Sequence, residues 1–152
     1  MKARIVVLGA GFGGLELSTL LSESLGDSVE VTLIDKNDNF VFGYSKLDVM
    51  FAHADALAVR LPYKNFTKPG VRMVQQNVTA IDPVKRRVTT DKGAFDADYL
   101  VVALGAEYDF AATPGLADVT EFYSVTAAEK MRDLLPKFNK GRALIGVCGA
   151  PY

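Results

Sequence analysis

The sequence predicts an α/β fold, a parallel sheet interrupted by an antiparallel β-hairpin or meander, and three observations carry that reading. "RIVVL" is a short apolar, β-branched run that ends in four glycines within six residues, Gly9, Gly11, Gly13 and Gly14. "VEVTLID" is a second such run, and the stretch between the two has helical spacing. "RRVTTDKGAFDADYLVVALG" reads as a hairpin turned at Lys92-Gly93, and its second arm leads into a third apolar strand.

Residues 5–8 are continuously apolar, the pattern of a strand buried on both faces. After the glycines, residues 12–24 place Leu15, Leu17, Leu20 and Leu21 on a helix, with Gly26 as its stop. Residues 29–35 complete a βαβ unit. Residues 36–66 open as a polar loop, become aromatic at Phe40, Phe42 and Tyr44, and predict a partial helix over 46–58. "VRMVQQNVTAID" supplies one or two short strands, and the hairpin then runs into a strand over 99–104. Thr126 with Glu129 matches a capping box for a helix reaching about Leu135, ahead of Pro136 and Gly141. "RALIGVCGAPY" predicts the start of another buried strand.

Composition narrows the function classes. The chain has 152 residues and a formal charge of −1, which gives no electrostatic argument for nucleic acid. No apolar stretch approaches the roughly 20 residues that cross a bilayer, and the glycine-terminated N-terminal run does not fit a signal peptide. One cysteine, Cys148, and one histidine, His53, leave no internal disulfide and no Cys- or His-rich metal site within the chain. A cytoplasmic setting, or a peripheral one on the cytoplasmic membrane, is the expectation.

Gly9-x-Gly11-x-x-Gly14 is the spacing of a dinucleotide fingerprint. Gly9 makes the turn off the strand, Gly11 lets a pyrophosphate approach the backbone, and Gly14 lets the helix sit close to the sheet. Ser18 continues the small-residue face, and the helix N-terminus offers N–H groups and a positive dipole end. Asp35, at the end of the second strand, can accept from both hydroxyls of an adenosine ribose and would repel a 2′-phosphate. These residues fit NAD or FAD.

The fingerprint, Asp35, the hairpin and the apolar strand ending Ala103-Leu104-Gly105 together resemble the FAD-dependent pyridine nucleotide–disulfide oxidoreductase superfamily. The resemblance implies a Rossmann-like FAD-binding fold whose first fingerprint holds FAD. It implies cofactor contacts at Gly9, Gly11, Phe12, Gly13, Gly14, Asp35 and Lys36, at the backbone of Val78, and at Ala103 and Gly105. Leu104 stands where that family usually has Thr or Ser, which removes a hydroxyl and leaves backbone contacts. The branch with a Cys-x-x-x-x-Cys pair is excluded, because "FVFGYSKLDVMF" contains no cysteine.

"FGYSKLDVMF" and the terminal "VCGAPY" are most similar to the sulfide:quinone oxidoreductase and flavocytochrome c sulfide dehydrogenase branch, with type II NADH dehydrogenases as the alternative. In sulfide-oxidising members a flavin-proximal cysteine follows a comparable Ala-Pro-aromatic segment. The resemblance thus implies electrons passing from sulfide or another small reductant to a quinone or cytochrome. Residues 1–110 are expected to form the FAD-binding domain with its hairpin insertion. Residues 111–152 are expected to be a connecting segment and the start of a second, truncated nucleotide-binding fold. A chain read as this N-terminal portion is expected to bind FAD weakly and to sustain no turnover alone. A non-enzymatic adenine-nucleotide module is the reading from a different class.

No catalytic residue is assigned. Cys148 reads as a small buried residue at a strand end, and His53 as non-catalytic. Phe40, Phe42 and Tyr44 fit core packing or a flavin or quinone channel equally well. Lys85, Arg86 and Arg87 read as a solvated hairpin edge.

Overall fold

The computed structural model describes residues 2–147. In chain order the elements are β1 (Ala3–Leu8), α1 (Phe12–Leu25), β2 (Val29–Asp35), β3 (Asn39–Val41), α2 (Ser45–Met50), β4 (Arg60–Pro62), β5 (Val71–Gln75), β6 (Val78–Asp82), β7 (Arg87–Thr90), β8 (Gly93–Asp96), β9 (Tyr99–Val102) and α3 (Val125–Leu134). Short 3₁₀ turns punctuate them, among them Tyr63–Asn65 after β4. The chain divides into two compact units. One comprises Met1–Phe40 and Leu61–Ala106, the other Val41–Arg60 and Glu107–Tyr152.

The first unit is built on a four-stranded sheet of order β5-β2-β1-β9 in which every neighbour is parallel. Alternation along the strands assigns each residue to one face. Ile5, Val7, Val29, Val31 and Leu33 form a core with Leu15, Leu17 and Leu21 of α1. Val6, Leu8 and Ile34 form another, with Val88, Phe95 and Ala97 from the antiparallel meander β6-β7-β8. Both faces of the central strands β1 and β2 are therefore covered, which is why those two read as largely apolar runs. The hairpin lies where the sequence places it, with Thr90 opposite Gly93 and Arg87 opposite Asp96. Arg87 also pairs with Asp96 at 2.8 Å, so the basic edge is a solvated ion-pair surface.

Order matters for function. The chain leaves β1 through α1 to β2 and β5 on one side, and β9 returns on the other side of β1. β1 thus stands at the point where strand order reverses, the place where open parallel sheets hold ligands at their carboxyl ends. α1 reaches the sheet through Gly14, Ser18 and Ser22, all buried, so the small-residue face continues for two turns beyond the glycines.

The second unit is smaller in its core. α2 and α3 bury Val49, Met50, Ala56 and Ala128, with Val59, Val125 and Met131 around them. Here three expectations are corrected. The partial helix predicted over 46–58 stops at Met50, because Asp48 O then accepts from both His53 N and Ala54 N and Ala52 takes a φ of 60°. The cap of α3 is Ser124, whose Oγ accepts from Ala127 N at 3.1 Å; Thr126 and Glu129 lie inside the helix. Residues 142–147 form no strand, and Leu144, Ile145 and Val147 are exposed. A strand needs a neighbouring edge for its N–H and C=O groups, and no described strand pairs with this segment. Cys148 and the rest of "CGAPY" lie outside the described residues.

In the same unit Glu121 supports the start of α3. It accepts from the Ser124 hydroxyl and from the backbone N–H groups of Tyr123 and Ser124. Lys46 of α2 sits over the Tyr123 ring, 4.1 Å from its centroid. Partial burial pushes the Glu121 carboxyl up, but those hydrogen bonds and the Lys46 charge outweigh it and hold the group below its usual value.

Candidate functional site

The site grows from the carboxyl end of β1. Gly9 takes a φ of +94°, and a Cβ there would lie 2.4 Å from Ala103 O and 3.0 Å from Leu104 Cα. A Cβ on Gly14 would lie 1.8 Å from Gly9 O. Neither position admits a side chain, because the turn folds its own backbone against the first helical turn and against the end of β9. Ala103 N donates to Leu8 O at 2.8 Å, which fixes that end beside β1. The sequence-predicted residues Gly9, Gly13, Gly14 and Ala103 are thus brought together, with Gly105 one residue past Leu104.

Gly11 differs. Its φ of −77° is ordinary for any residue, and a Cβ built on it meets nothing of this chain within 4 Å. No clash within the chain asks for glycine at this position. It is the N-cap of α1, whose first turn has no side-chain cap and no acidic residue. The N–H groups of a helix N-terminus, its positive dipole end and open space above the Gly11 backbone together fit an anionic group such as a pyrophosphate. Phe12 is exposed beside this turn and makes an edge-to-face contact with Phe40 at 5.0 Å. Phe40 also packs on the core, whereas Phe42 and Tyr44 belong to exposed surface.

Asp35 ends β2, directly beside the turn. Its Oδ2 accepts from Ala10 N at 2.7 Å, and its Oδ1 accepts from Asn37 N at 2.8 Å and Asn37 Nδ2 at 3.0 Å. The carboxylate therefore holds the glycine turn itself, a task that sequence reasoning did not give it. Gln75 pairs with Asp35 in register, and Gln76 N donates to Asp35 O, so the chain leaving β5 toward Val78 starts at the same edge. Val78 is half-buried as the first residue of β6, and Lys36 is exposed.

Three residues were missed in the sequence. Asn37 closes a local bond to Asp35, a signal that "DKN" carries for an Asx-type turn. Ala10 is fully buried and is held on both of its polar groups. Tyr63 donates its hydroxyl to Ala10 O at 2.7 Å, across 53 residues of chain. Burial, then the nearby Asp35 charge, pushes the Tyr63 hydroxyl well above the usual phenol range, so it stays a donor. No local pattern could have pointed to Tyr63.

Fold and turn together define a dinucleotide-binding α/β protein. The chain belongs to the pyridine nucleotide-disulphide oxidoreductase family, whose model matches residues 3–152. It is 34% identical over 148 residues to the type II NADH:quinone oxidoreductase of Staphylococcus saprophyticus, covering 90% of this chain and 35% of that protein. It is 40% identical over 109 residues to the protein of the same description from Staphylococcus epidermidis, covering 68% of this chain and 26% of that protein. The chain thus spans about a third of the length of the curated relatives it matches.

Its fold is shared with the sulfide:quinone oxidoreductase of Aquifex aeolicus, with a TM-score of 0.77 and 23% identity over 89% of this chain and 32% of that one. NDH2 from Plasmodium falciparum, solved with NADH, gives a TM-score of 0.70 and 22% identity over 90% of this chain and 30% of that one.

Proposed function

We propose that this chain is the FAD-binding part of a flavin-dependent oxidoreductase that delivers electrons to a quinone, with NADH as the donor. The observation that carries the nucleotide reading is the contrast within the turn. Gly9 and Gly14 are glycine because the fold leaves no room, whereas Gly11 is glycine with open space above it. A bound pyrophosphate supplies the missing reason. In this reading Gly11, Phe12, Gly13 and Gly14 present backbone to the pyrophosphate. Asp35 and Lys36 edge the adenosine, Val78 offers backbone to the adenine, and Ala103 and Gly105 lie along the path toward the flavin ring. When bound, FAD supplies two-electron chemistry that no side chain can perform.

One consideration supports NADH and quinone. The relatives that match nine-tenths of this chain are described as type II NADH:quinone oxidoreductases. No described helix is long and apolar enough to cross a membrane, so contact with a membrane-dissolved quinone would be peripheral in this portion. Sulfide as donor, with a quinone or cytochrome as acceptor, is the second reading. It is favoured by "FGYSKLDVMF", which resembles the sulfide-oxidising branch.

The test is to incubate the purified chain with FAD, remove free ligand by gel filtration, and record the flavin band near ~450 nm. Co-eluting flavin is expected. Gly11→Val should weaken FAD binding by about 100-fold, by blocking close approach to the backbone, while costing the fold at most about 1 kcal/mol through the poorer helix N-cap. Equal flavin retention by both proteins would overturn the assignment, and no retention by either would favour a different nucleotide or a non-enzymatic module. Anaerobic addition of NADH, and separately of sulfide, to the loaded protein distinguishes the donors by which one bleaches the band.

A further inference from the structure

We propose that Tyr63 is a positioning residue for the glycine turn: its hydroxyl and the Asp35 carboxylate hold Ala10 by its two polar groups and so preset the Gly11 N–H for a pyrophosphate. The inference rests on the nucleotide reading above and adds a residue to it.

The need for such a clamp follows from the sequence. Ala10 stands between Gly9 and Gly11, and glycines on both sides give the two flanking peptide groups unusual freedom to rotate. A flipped Ala10–Gly11 peptide would present a carbonyl oxygen where an anion needs a donor. One long-range bond holds that peptide, and a second holds the Gly9–Ala10 peptide before it. Ala10 N donates to Asp35 Oδ2, and Ala10 O accepts from Tyr63 Oη, both at 2.7 Å.

A trans peptide is planar, with its C=O and N–H pointing in opposite directions. The Ala10 carbonyl is drawn toward a tyrosine only 6% exposed, in the core with Ile5, Val7 and Leu33. The N–H of the same peptide belongs to Gly11 and therefore points away from that core.

Tyr63 is itself rigidly seated. Its N–H donates to Asp38 O at 2.9 Å, and it opens the 3₁₀ turn Tyr63–Asn65, where its carbonyl accepts from Phe66 N. Pro62 before it takes a φ of −63°. The ring is packed, the hydroxyl is kept protonated by burial and by Asp35, and the phenol has no task in the core that Phe could not perform. The hydroxyl is explained by Ala10 alone.

Tyr63→Phe removes that hydroxyl and little else. In the ligand-free chain, hydrogen exchange at the Ala10 amide should rise about tenfold relative to the Val31 amide, which bonds Gly70 O and reports the sheet. Dissociation constants for FAD and for ADP should both rise about tenfold, since both carry the pyrophosphate, while FMN binding is unaffected. A purely structural role for Tyr63 predicts instead that Ala10 and Val31 exchange rise together and that the folded protein binds both nucleotides as before. That result would overturn the proposal. If the unaltered chain binds neither FAD nor ADP, the nucleotide reading fails. The exchange ratio still decides the clamp in that case: a selective rise at Ala10 supports it, and no selective rise overturns it.

Discussion

The two units of this protein depend on different kinds of contact. In the sheet unit, Val7, Leu8, Ala10, Val31, Leu33 and Ile34 are fully buried, and the glycine turn sets backbone against backbone. In the unit of α2 and α3 the core is four small or medium residues, and Tyr44, Leu57, Tyr123 and Leu144 are more than 60% exposed. One region is held, at Gly9 and Gly14, by close approach that tolerates no added atom. The other is held by polar caps and partial contacts that can be weakened by degrees. Substitutions should therefore act as a switch in the first unit and as a dial in the second.

The largest effect should come from Gly14→Ala. One methyl group would sit 1.8 Å from a backbone oxygen, which no side-chain rotation relieves. Overpacking in a closed core costs about 1–3 kcal/mol and sometimes more, and here the obstacle is main chain. A loss of about 4 kcal/mol or outright unfolding is expected by urea denaturation, against at most about 1 kcal/mol for Gly11→Val three positions earlier, where only the helix cap is affected. A fully stable Gly14→Ala protein would erase the contrast between the two glycines, and with it the argument that Gly11 answers to a ligand.

The same difference explains what the sequence could reveal. β1 and β2 were legible because a parallel strand covered on both faces is read as an apolar run. The strand over 99–102 was legible from its β-branched and aromatic apolar run, although Tyr99 and Val102 are exposed. The hairpin at Lys92-Gly93 was legible from its two arms and its turn glycine. The roles of Asp35 and Tyr63 toward Ala10 were not, since each bond joins residues 25 and 53 positions apart and leaves no local pattern. In the second unit local signals misled. Thr126 and Glu129 have the capping-box spacing, but Ser124 lies two residues earlier and has Glu121 already bonded to it. The apolar residues of 142–147 looked like a core strand, but alternation says nothing about whether an edge is there to receive it.

A middle-sized effect tests the polar cap. Ser124→Ala should destabilise the protein by about 1 kcal/mol, since it removes the acceptor for Ala127 N and the donor to Glu121. Thr126→Ala, inside the helix, should change stability by less than about 0.5 kcal/mol. Denaturation midpoints of the two variants would order them directly, and the reverse order would restore Thr126 as the cap.

The smallest effect is a pH dependence, and it bears on which unit loosens first in acid. Glu121 has a folded value lowered from 4.5, because the bonds from Ser124 and Tyr123 and the Lys46 charge outweigh its partial burial. A carboxyl lowered in the folded state contributes stability that is complete above its unfolded value. That contribution disappears as pH falls through the folded value. The window therefore opens near pH 4.5 and extends downward. Asp98, lowered by its hydrogen bonds to Arg4, behaves the same way in the sheet unit, so acid weakens both. Glu121→Gln separates them: the variant keeps the Arg4–Asp98 response and loses the part belonging to α3. Hydrogen exchange of α3 amides, followed from pH 6 to pH 3 with the intrinsic rate divided out, should accelerate more steeply in the unaltered protein than in Glu121→Gln. Sheet amides should respond alike in both. Identical α3 profiles would mean that Glu121 does not hold the start of this helix in solution, and the second unit would then depend on its small core and the Ser124 cap.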